Sequence, residues 1–182
     1  LARPREGLSR EAFAAGLAYI PLTATVLVIS QFAPRLIARF GPRALLVAGS
    51  TLVAVSLVGL ALLDDESSYA FSVLIPLLIH AAGIALVFAP GTVTIMAGAP
   101  DHHAGAASGL LQMDQQIGGA LGIAIIASIY ALVADPTHFS TGLSVAFGAA
   151  AIIAGLASVL AWFGIRDSEV EMSAKPGAIA HF

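Results

Sequence analysis

Residues 44–63 read ALLVAGSTLVAVSLVGLALL, twenty consecutive positions without an Asp, Glu, Lys or Arg. A helix of that length rises about 30 Å at 1.5 Å per residue, the thickness of the hydrocarbon core of a bilayer. Arg43 precedes the run and Asp64-Asp65-Glu66 follows it, so charge returns at both ends. A charged residue at the centre of a spanning helix costs about 2.5–3.5 kcal/mol, while each Leu, Ile, Val or Phe gains only about 0.3–0.6. One charge cancels several aliphatic residues, and charge-free runs therefore mark spans. Four more such runs flank this one: Ala12–Pro34, Ser67–Pro100, Gln115–Ala134 and Pro136–Ile165. None alternates strictly, as a spanning strand of about 9–11 residues would. The expectation is an all-α membrane protein with five transmembrane helices.

Composition agrees. Of 182 residues, 58% are hydrophobic and 10% charged, against about 25% charged in soluble domains. Mean hydropathy is +0.93. These values exclude intrinsic disorder and an ordinary cytosolic enzyme. A net charge of −3 with eight basic residues leaves no polycationic footprint for nucleic acid. The chain has no cysteine, which excludes a disulfide framework and any Cys-based metal site or nucleophile.

Punctuation separates the runs. Ala33-Pro34-Arg35 closes the first and Phe40-Gly41-Pro42 precedes the second. Asp64-Asp65-Glu66-Ser67-Ser68, Ala99-Pro100-Asp101-His102-His103 and Asp135-Pro136-Thr137 mark the later breaks. The third run is too long for one upright helix, and Pro90-Gly91 is expected to kink it. The reading divides the chain into a short N-terminal segment (1–10), a transmembrane region (11–166) and a polar tail (167–182). The start at Leu1 rather than Met, with an odd number of spans, suggests a piece of a longer polypeptide.

Arg35, Arg39 and Arg43 occupy one connection, and Arg166 and Lys175 follow the last span. Five crossings put all of them on one side. The Asp64–Ser68 and Asp135–Thr141 connections hold no basic residue. The positive-inside rule then sets the basic side, and the C-terminus, in the cytoplasm of a multi-pass inner or plasma membrane protein. Arg3, Arg5 and Arg10 fall outside under this orientation.

Polar residues inside spans are expensive in lipid and should face a bundle interior or an aqueous cavity. The fourth span carries Gln112, Asp114, Gln115 and Gln116. At 100° per residue Gln112 and Gln116 share a face, Gln115 lies towards Gly118 and Gly122, and Asp114 points roughly opposite. No side of that turn is wholly apolar, so the helix must be surrounded by protein or line a pathway. Asp114 lies about 15 Å along a helix that starts near Ala104, where it can serve as a cation or proton site or bond to a neighbouring helix. His80, mid-way along the third span, is a candidate pathway residue or a helix–helix hydrogen bonder. Gly105-x-x-x-Gly109 and Gly118-x-x-x-Gly122 place small residues on successive turns, as does the Gly148, Ala151, Gly155, Ser158 stripe. Such stripes serve helix packing. Thr23, Thr25 and Ser30 can bond to the preceding turn. His102 and His103 lack a third ligand at metal spacing. No G-x-S-x-G, H-E-x-x-H or Walker loop occurs, so neither a catalytic site nor a cofactor or metal is expected.

Several segments resemble the C-terminal half of a major facilitator superfamily transporter, closest to the fourteen-helix drug:proton antiporter branch. Gly7-Leu8-Ser9 with Ala15-Gly16-Leu17-Ala18-Tyr19-Ile20-Pro21 looks like the entry into the second helix of that half. Ala33–Arg43 resembles the repeat of the cytoplasmic signature G-x-L-a-D-R-x-G-R-R, matching at Arg39, Gly41 and Arg43. It departs at Pro34, Ala38 and Pro42, and the loss of the acid calls a gating salt bridge there into question. Ala104–Gln112 with Gln115–Gly122 is very similar to the penultimate helix of the family. The likeness runs from about Gly7 to Ile165.

The resemblance implies five of the six helices of one half-domain, with the N-terminal half of the transporter missing. It implies proton-coupled efflux of drugs or other amphipathic small molecules by alternating access, with the lipid bilayer, substrate and protons as partners. Gln112, Asp114, Gln115, Gln116 and His80 are then pathway candidates, and Arg39, Gly41 and Arg43 serve the cytoplasmic loop. The alternative is a non-transporting five-helix structural or interaction subunit.

Overall fold

The computed structural model describes residues 4–63, 72–97, 101–133 and 139–164. Four long helices account for nearly all of them: α1 (Pro4–Ala61), α2 (Leu74–Ala97), α3 (Ala104–Val133) and α4 (Phe139–Gly164), with a 3-10 turn at Asp101–His103 before α3. Each contains a stretch long and apolar enough to cross a membrane. In α1 this stretch is Tyr19–Ala61, 43 residues, about twice the ~20 that one crossing needs.

Gly41 divides it. Its φ of 77° and ψ of 159° are not helical. The residue before a proline is driven from the α region to extended ψ, and positive φ with extended ψ is open only to glycine. Pro42 then opens the second arm, where its missing N–H costs nothing. The arms, α1a (residues 4–40) and α1b (residues 42–61), each hold a span's worth of apolar residues. Five span-length segments result, as the sequence predicts, with the break at the expected Phe40-Gly41-Pro42.

Two boundaries differ from the charge-free runs. Helix α1 begins at Pro4 rather than Ala12, and α3 begins at Ala104 rather than Gln115. A charge ends a run on paper, but a helix needs only backbone hydrogen bonds and continues through Asp114. Prolines are also accommodated: α1a passes Pro21 and Pro34, and α2 passes Pro90 to reach Ala97. Beside Pro21, the Thr25 hydroxyl donates to the Pro21 carbonyl at 2.8 Å, and that of Thr23 to the Tyr19 carbonyl at 3.1 Å. The connections around Asp64–Ser68 and Asp135–Pro136 and the tail from Asp167 lie outside the described residues.

The arm α1b is the centre of the bundle, packed against α2 on one side and α4 on the other. Gly49 meets Gly83 and Val87, Ser56 meets His80, and Gly59 meets Pro76, so α2 runs antiparallel to α1b. Arg43 meets Trp162, Thr51 meets Ser158, and Leu57 packs with Ala150 and Ala151, so α4 is antiparallel as well. Most of what is buried is small, Ala33, Ala81, Ala85, Ala146, Ala150, Ala151, Ser56 and Pro90, joined by three leucines of α1b, Leu45, Leu57 and Leu60. Large apolar side chains point out, Leu132 at 86% and Phe163 at 79% exposure. This differs from a soluble core and suits lipid, because helices in lipid gain chiefly by close approach at small residues.

The tightest approach is at Gly49 and Gly83. A Cβ built on Gly49 would lie 2.8 Å from the Gly83 carbonyl oxygen, and one on Gly83 would lie 2.8 Å from that of Gly49. Gly49→Ala or Gly83→Ala in the full-length protein is expected to cost about 1–3 kcal/mol by overpacking, read as a lower midpoint of thermal unfolding in detergent. Gly148→Ala, where a Cβ meets nothing within 4 Å, serves as the control and should leave the midpoint unchanged. Equal midpoints for all three would contradict the crossing. Gly41→Ala should cost about 1–3 kcal/mol through backbone strain alone.

Candidate functional site

Helix α3 differs from its neighbours in having no buried residue. It leans mainly on α4, and its Leu111 and Gln115 face α2 across a small cavity. Gln112, Asp114 and Gln116 are exposed, while Gln115 is half-buried. The structure thus separates the polar residues of this turn. Gln115 points between α2 and α3 into a cavity of about 170 Å³, shared with Leu111, Phe88, Gly91, Thr92 and Ile95. Asp114 lies about 200° around the helix from Gln112, on the side of the exposed Leu110, Ile117 and Leu121, and lines neither of the two cavities described here.

A larger open cavity, about 560 Å³, lies between α3 and α4. Gly118, Gly119 and Gly122 form its floor, and Ile123, Tyr130, Leu143 and Phe147 stand around it. The helical repeat puts Gln112, Gln116, Gly119, Ile123 and Tyr130 on one face, so the exposed amides continue the same stripe one to two turns from this apolar floor.

The glycine motifs of α3 find no partner within the described chain. A Cβ at Gly105, Gly109, Gly118 or Gly122 would meet nothing within 4 Å. Close packing falls to Gly49 and Gly83 instead, which motif spacing does not single out because they lie on different helices. Of the α4 stripe, Ala151 is buried in the core with Leu57. Ser158 shares a hydrogen bond of 2.9 Å with Thr51 and donates to the Val47 carbonyl at 3.3 Å.

His80 lies at the α1b–α2 contact. Its Nδ1 is 3.0 Å from Ser56 Oγ, and that hydroxyl donates to the Val53 carbonyl at 2.7 Å. Because the hydroxyl hydrogen is engaged by the carbonyl, Ser56 accepts from Nδ1–H, which leaves Nε2 as the acceptor nitrogen of the neutral ring. Ser56 is 1% exposed and was not among the residues that the sequence marks; a serine in an apolar run reads as self-satisfied until its neighbour across the interface is known.

At the other end, Arg39 is exposed, its guanidinium 5.4 Å from the Phe40 ring centroid. Arg43 reaches across to α4, donating from Nη to the Trp162 carbonyl and lying 4.9 Å from the Trp162 ring centroid. That carbonyl belongs to the last turn of α4, which ends at Gly164. Terminal carbonyls of a helix lack intrahelical partners and carry partial negative charge, so Arg43 caps α4 and ties the start of α1b to its end. Both helix ends therefore lie on one side of the bundle. The rings of His102 and His103 lie 4.1 Å apart between centroids, tilted by 45°, before α3, and both are exposed. Among the described residues, no three His, Cys, Asp or Glu side chains group closely enough to hold a metal ion.

Comparison with known proteins accounts for this arrangement. The quinolone resistance protein NorB of Staphylococcus aureus (strain MRSA252) is 29% identical over 144 residues, covering 78% of this chain and 31% of NorB. The multidrug resistance protein Stp of Mycobacterium tuberculosis (strain H37Rv) is 32% identical over 116 residues, covering 64% of this chain and 21% of Stp. The tetracenomycin C resistance and export protein of Streptomyces glaucescens is 36% identical over 116 residues, again 64% and 21%. The chain thus spans between a fifth and a third of the length of these relatives. The Major Facilitator Superfamily model matches residues 3–123. On that match, which takes in α1, α2 and most of α3, the chain is an integral membrane protein that belongs to the Major Facilitator Superfamily.

Proposed function

We propose that this chain is part of a secondary active transporter that exports drugs or other amphipathic small molecules, and that α3 lines the substrate path. The observation that carries the reading is the exposure of α3. Gln112, Asp114 and Gln116 lie on a helix that must sit at membrane depth, yet no part of the described chain covers them. Left in hydrocarbon, a central carboxylate alone costs about 2.5–3.5 kcal/mol. A companion half-domain across an aqueous cavity relieves the amides Gln112 and Gln116, and Asp114, on the opposite side of the helix, needs a partner from the rest of the transporter. Substrate then sits near the bilayer midplane between the halves, and rocking of one half against the other exposes it to alternate sides. The names of the three relatives, each a resistance protein and one also an export protein, support efflux as the direction.

The surfaces suit an amphipathic cargo. The floor of Gly118, Gly119 and Gly122 with Phe147 and Tyr130 around it accepts an apolar body, and Gln112 and Gln116 offer hydrogen-bond donors and acceptors further along the same stripe. Asp114, on the far side of the helix, is placed to serve a cation: a positively charged group on a substrate, a basic side chain of the companion half, or a proton carried in exchange. His80, bonded to Ser56 between α1b and α2, lies away from this face and acts in helix registration.

The membrane orientation follows from charge. Arg35, Arg39 and Arg43 lie at the same end of the bundle as the end of α4, and the positive-inside rule assigns that end to the cytoplasm. In a cysteine-free full-length background, Leu63→Cys is expected to react with an impermeant maleimide added outside intact cells. His103→Cys should react only after permeabilisation. The reverse pattern would invert the topology.

For transport, Asp114→Asn is expected to reduce export of monocationic substrates by about tenfold or more, the weight of one charge-assisted hydrogen bond of ~1.5 kcal/mol. Neutral substrates should change by less than about twofold. Efflux from inverted vesicles measures both. Equal loss for the two classes, or no loss, would assign Asp114 to packing.

A further inference from the structure

Between Ala12 and Leu63 the sequence holds three basic residues, Arg35, Arg39 and Arg43, and no Asp or Glu. All three fall where Gly41 divides α1a from α1b, so this end of the segment carries positive charge with no carboxylate of its own. Arg35 and Arg39 are one helical turn apart on α1a, close enough to address one group together, and both are exposed. Arg43 is half-buried and held by the Trp162 carbonyl and ring.

The level of this cluster in the membrane is set from both sides. Span-length apolar segments lie immediately before and after it in the chain. Trp162, itself 54% exposed, is of the aromatic type that gathers at membrane–water interfaces. Two exposed guanidinium groups therefore stand at headgroup depth, next to a third that is fixed in place. A guanidinium offers paired N–H donors in a planar fork that matches phosphate oxygens. A zwitterionic lipid presents that phosphate with a tethered cation that offsets it. A net anionic lipid does not, and near a membrane surface each basic residue favours it by about fivefold.

We infer that Arg35 and Arg39, beside the Arg43–Trp162 latch, form a docking site for the headgroup of an anionic phospholipid. Charge complementarity selects the occupant: phosphate diester with net negative charge, supplied by the bilayer and not by free anion in solution. By holding the lipid at the break between two spans, the site anchors this end of the bundle at the membrane surface.

The test uses the full-length transporter in nanodiscs of equal phosphatidylcholine and phosphatidylglycerol, with retained lipid counted by native mass spectrometry. The wild type should keep phosphatidylglycerol preferentially, and the preference should shrink as salt is raised. Arg35→Gln with Arg39→Gln should reduce it by about 25-fold, fivefold for each charge. Arg35→Lys with Arg39→Lys should retain most of it, showing that charge and not a folding defect is responsible. Equal retention of the two lipids by the wild type would overturn the proposal, as would an unchanged preference in the glutamine variant. Displacement of the lipid by millimolar inorganic phosphate would also overturn it, because it would identify a free-anion site.

Discussion

Hydrocarbon offers no hydrogen bonds and little dielectric screening, and that scarcity governs every level of this chain. Backbone amides must satisfy one another, so the described residues are almost entirely helical. Asp114 apart, charge leaves the spans, so arginines collect at the Gly41 break and Asp64, Asp65, Glu66 and Asp135 at the opposite connections. Leucine gains little by being buried among helices, so the interior is mostly alanine, glycine and serine around Leu45, Leu57 and Leu60, while most leucines and phenylalanines face outwards. The same constraint that writes the sequence pattern thus determines which residue types can form contacts.

Those contacts are arranged around α1b. Towards α2 it offers backbone, with Gly49 and Gly83 at van der Waals limits and the Ser56–His80 bond one to two turns beyond. Towards α4 it offers Thr51 to Ser158, Leu57 to two alanines and Arg43 to the end of the helix. Each polar link sits within a small-residue interface, where close backbones shorten the reach that a hydroxyl or imidazole needs. Helix α3 stands apart from this arrangement. It carries Gln112, Asp114, Gln115 and Gln116 within two turns and has no buried residue, a combination that is stable only beside water or further protein.

Much of this was legible in the sequence, because desolvation acts residue by residue and leaves a one-dimensional trace. The absence of charge from 44–63 located α1b, and Phe40-Gly41-Pro42 located the break. Contacts between helices left no such trace. Gly49 and Gly83 are 34 positions apart, and neither looks different from Gly105 or Gly118, which meet nothing in the described chain. Likewise Arg43 read as one basic residue of a loop, and only the antiparallel return of α4 brought a carbonyl and an indole to it.

On the proposed function, the amide stripe of α3 faces water at membrane depth. That exposure is tested most directly by placing single cysteines at Gln112 and Gln116 in a cysteine-free full-length transporter and measuring reaction with a water-soluble maleimide in native membranes. Leu156 on the exposed apolar face of α4 provides the lipid-facing reference. The account requires reaction at 112 and 116 to exceed that at 156 by at least about tenfold, and to slow when substrate is added. Reaction at 112 and 116 no faster than at 156 would contradict it.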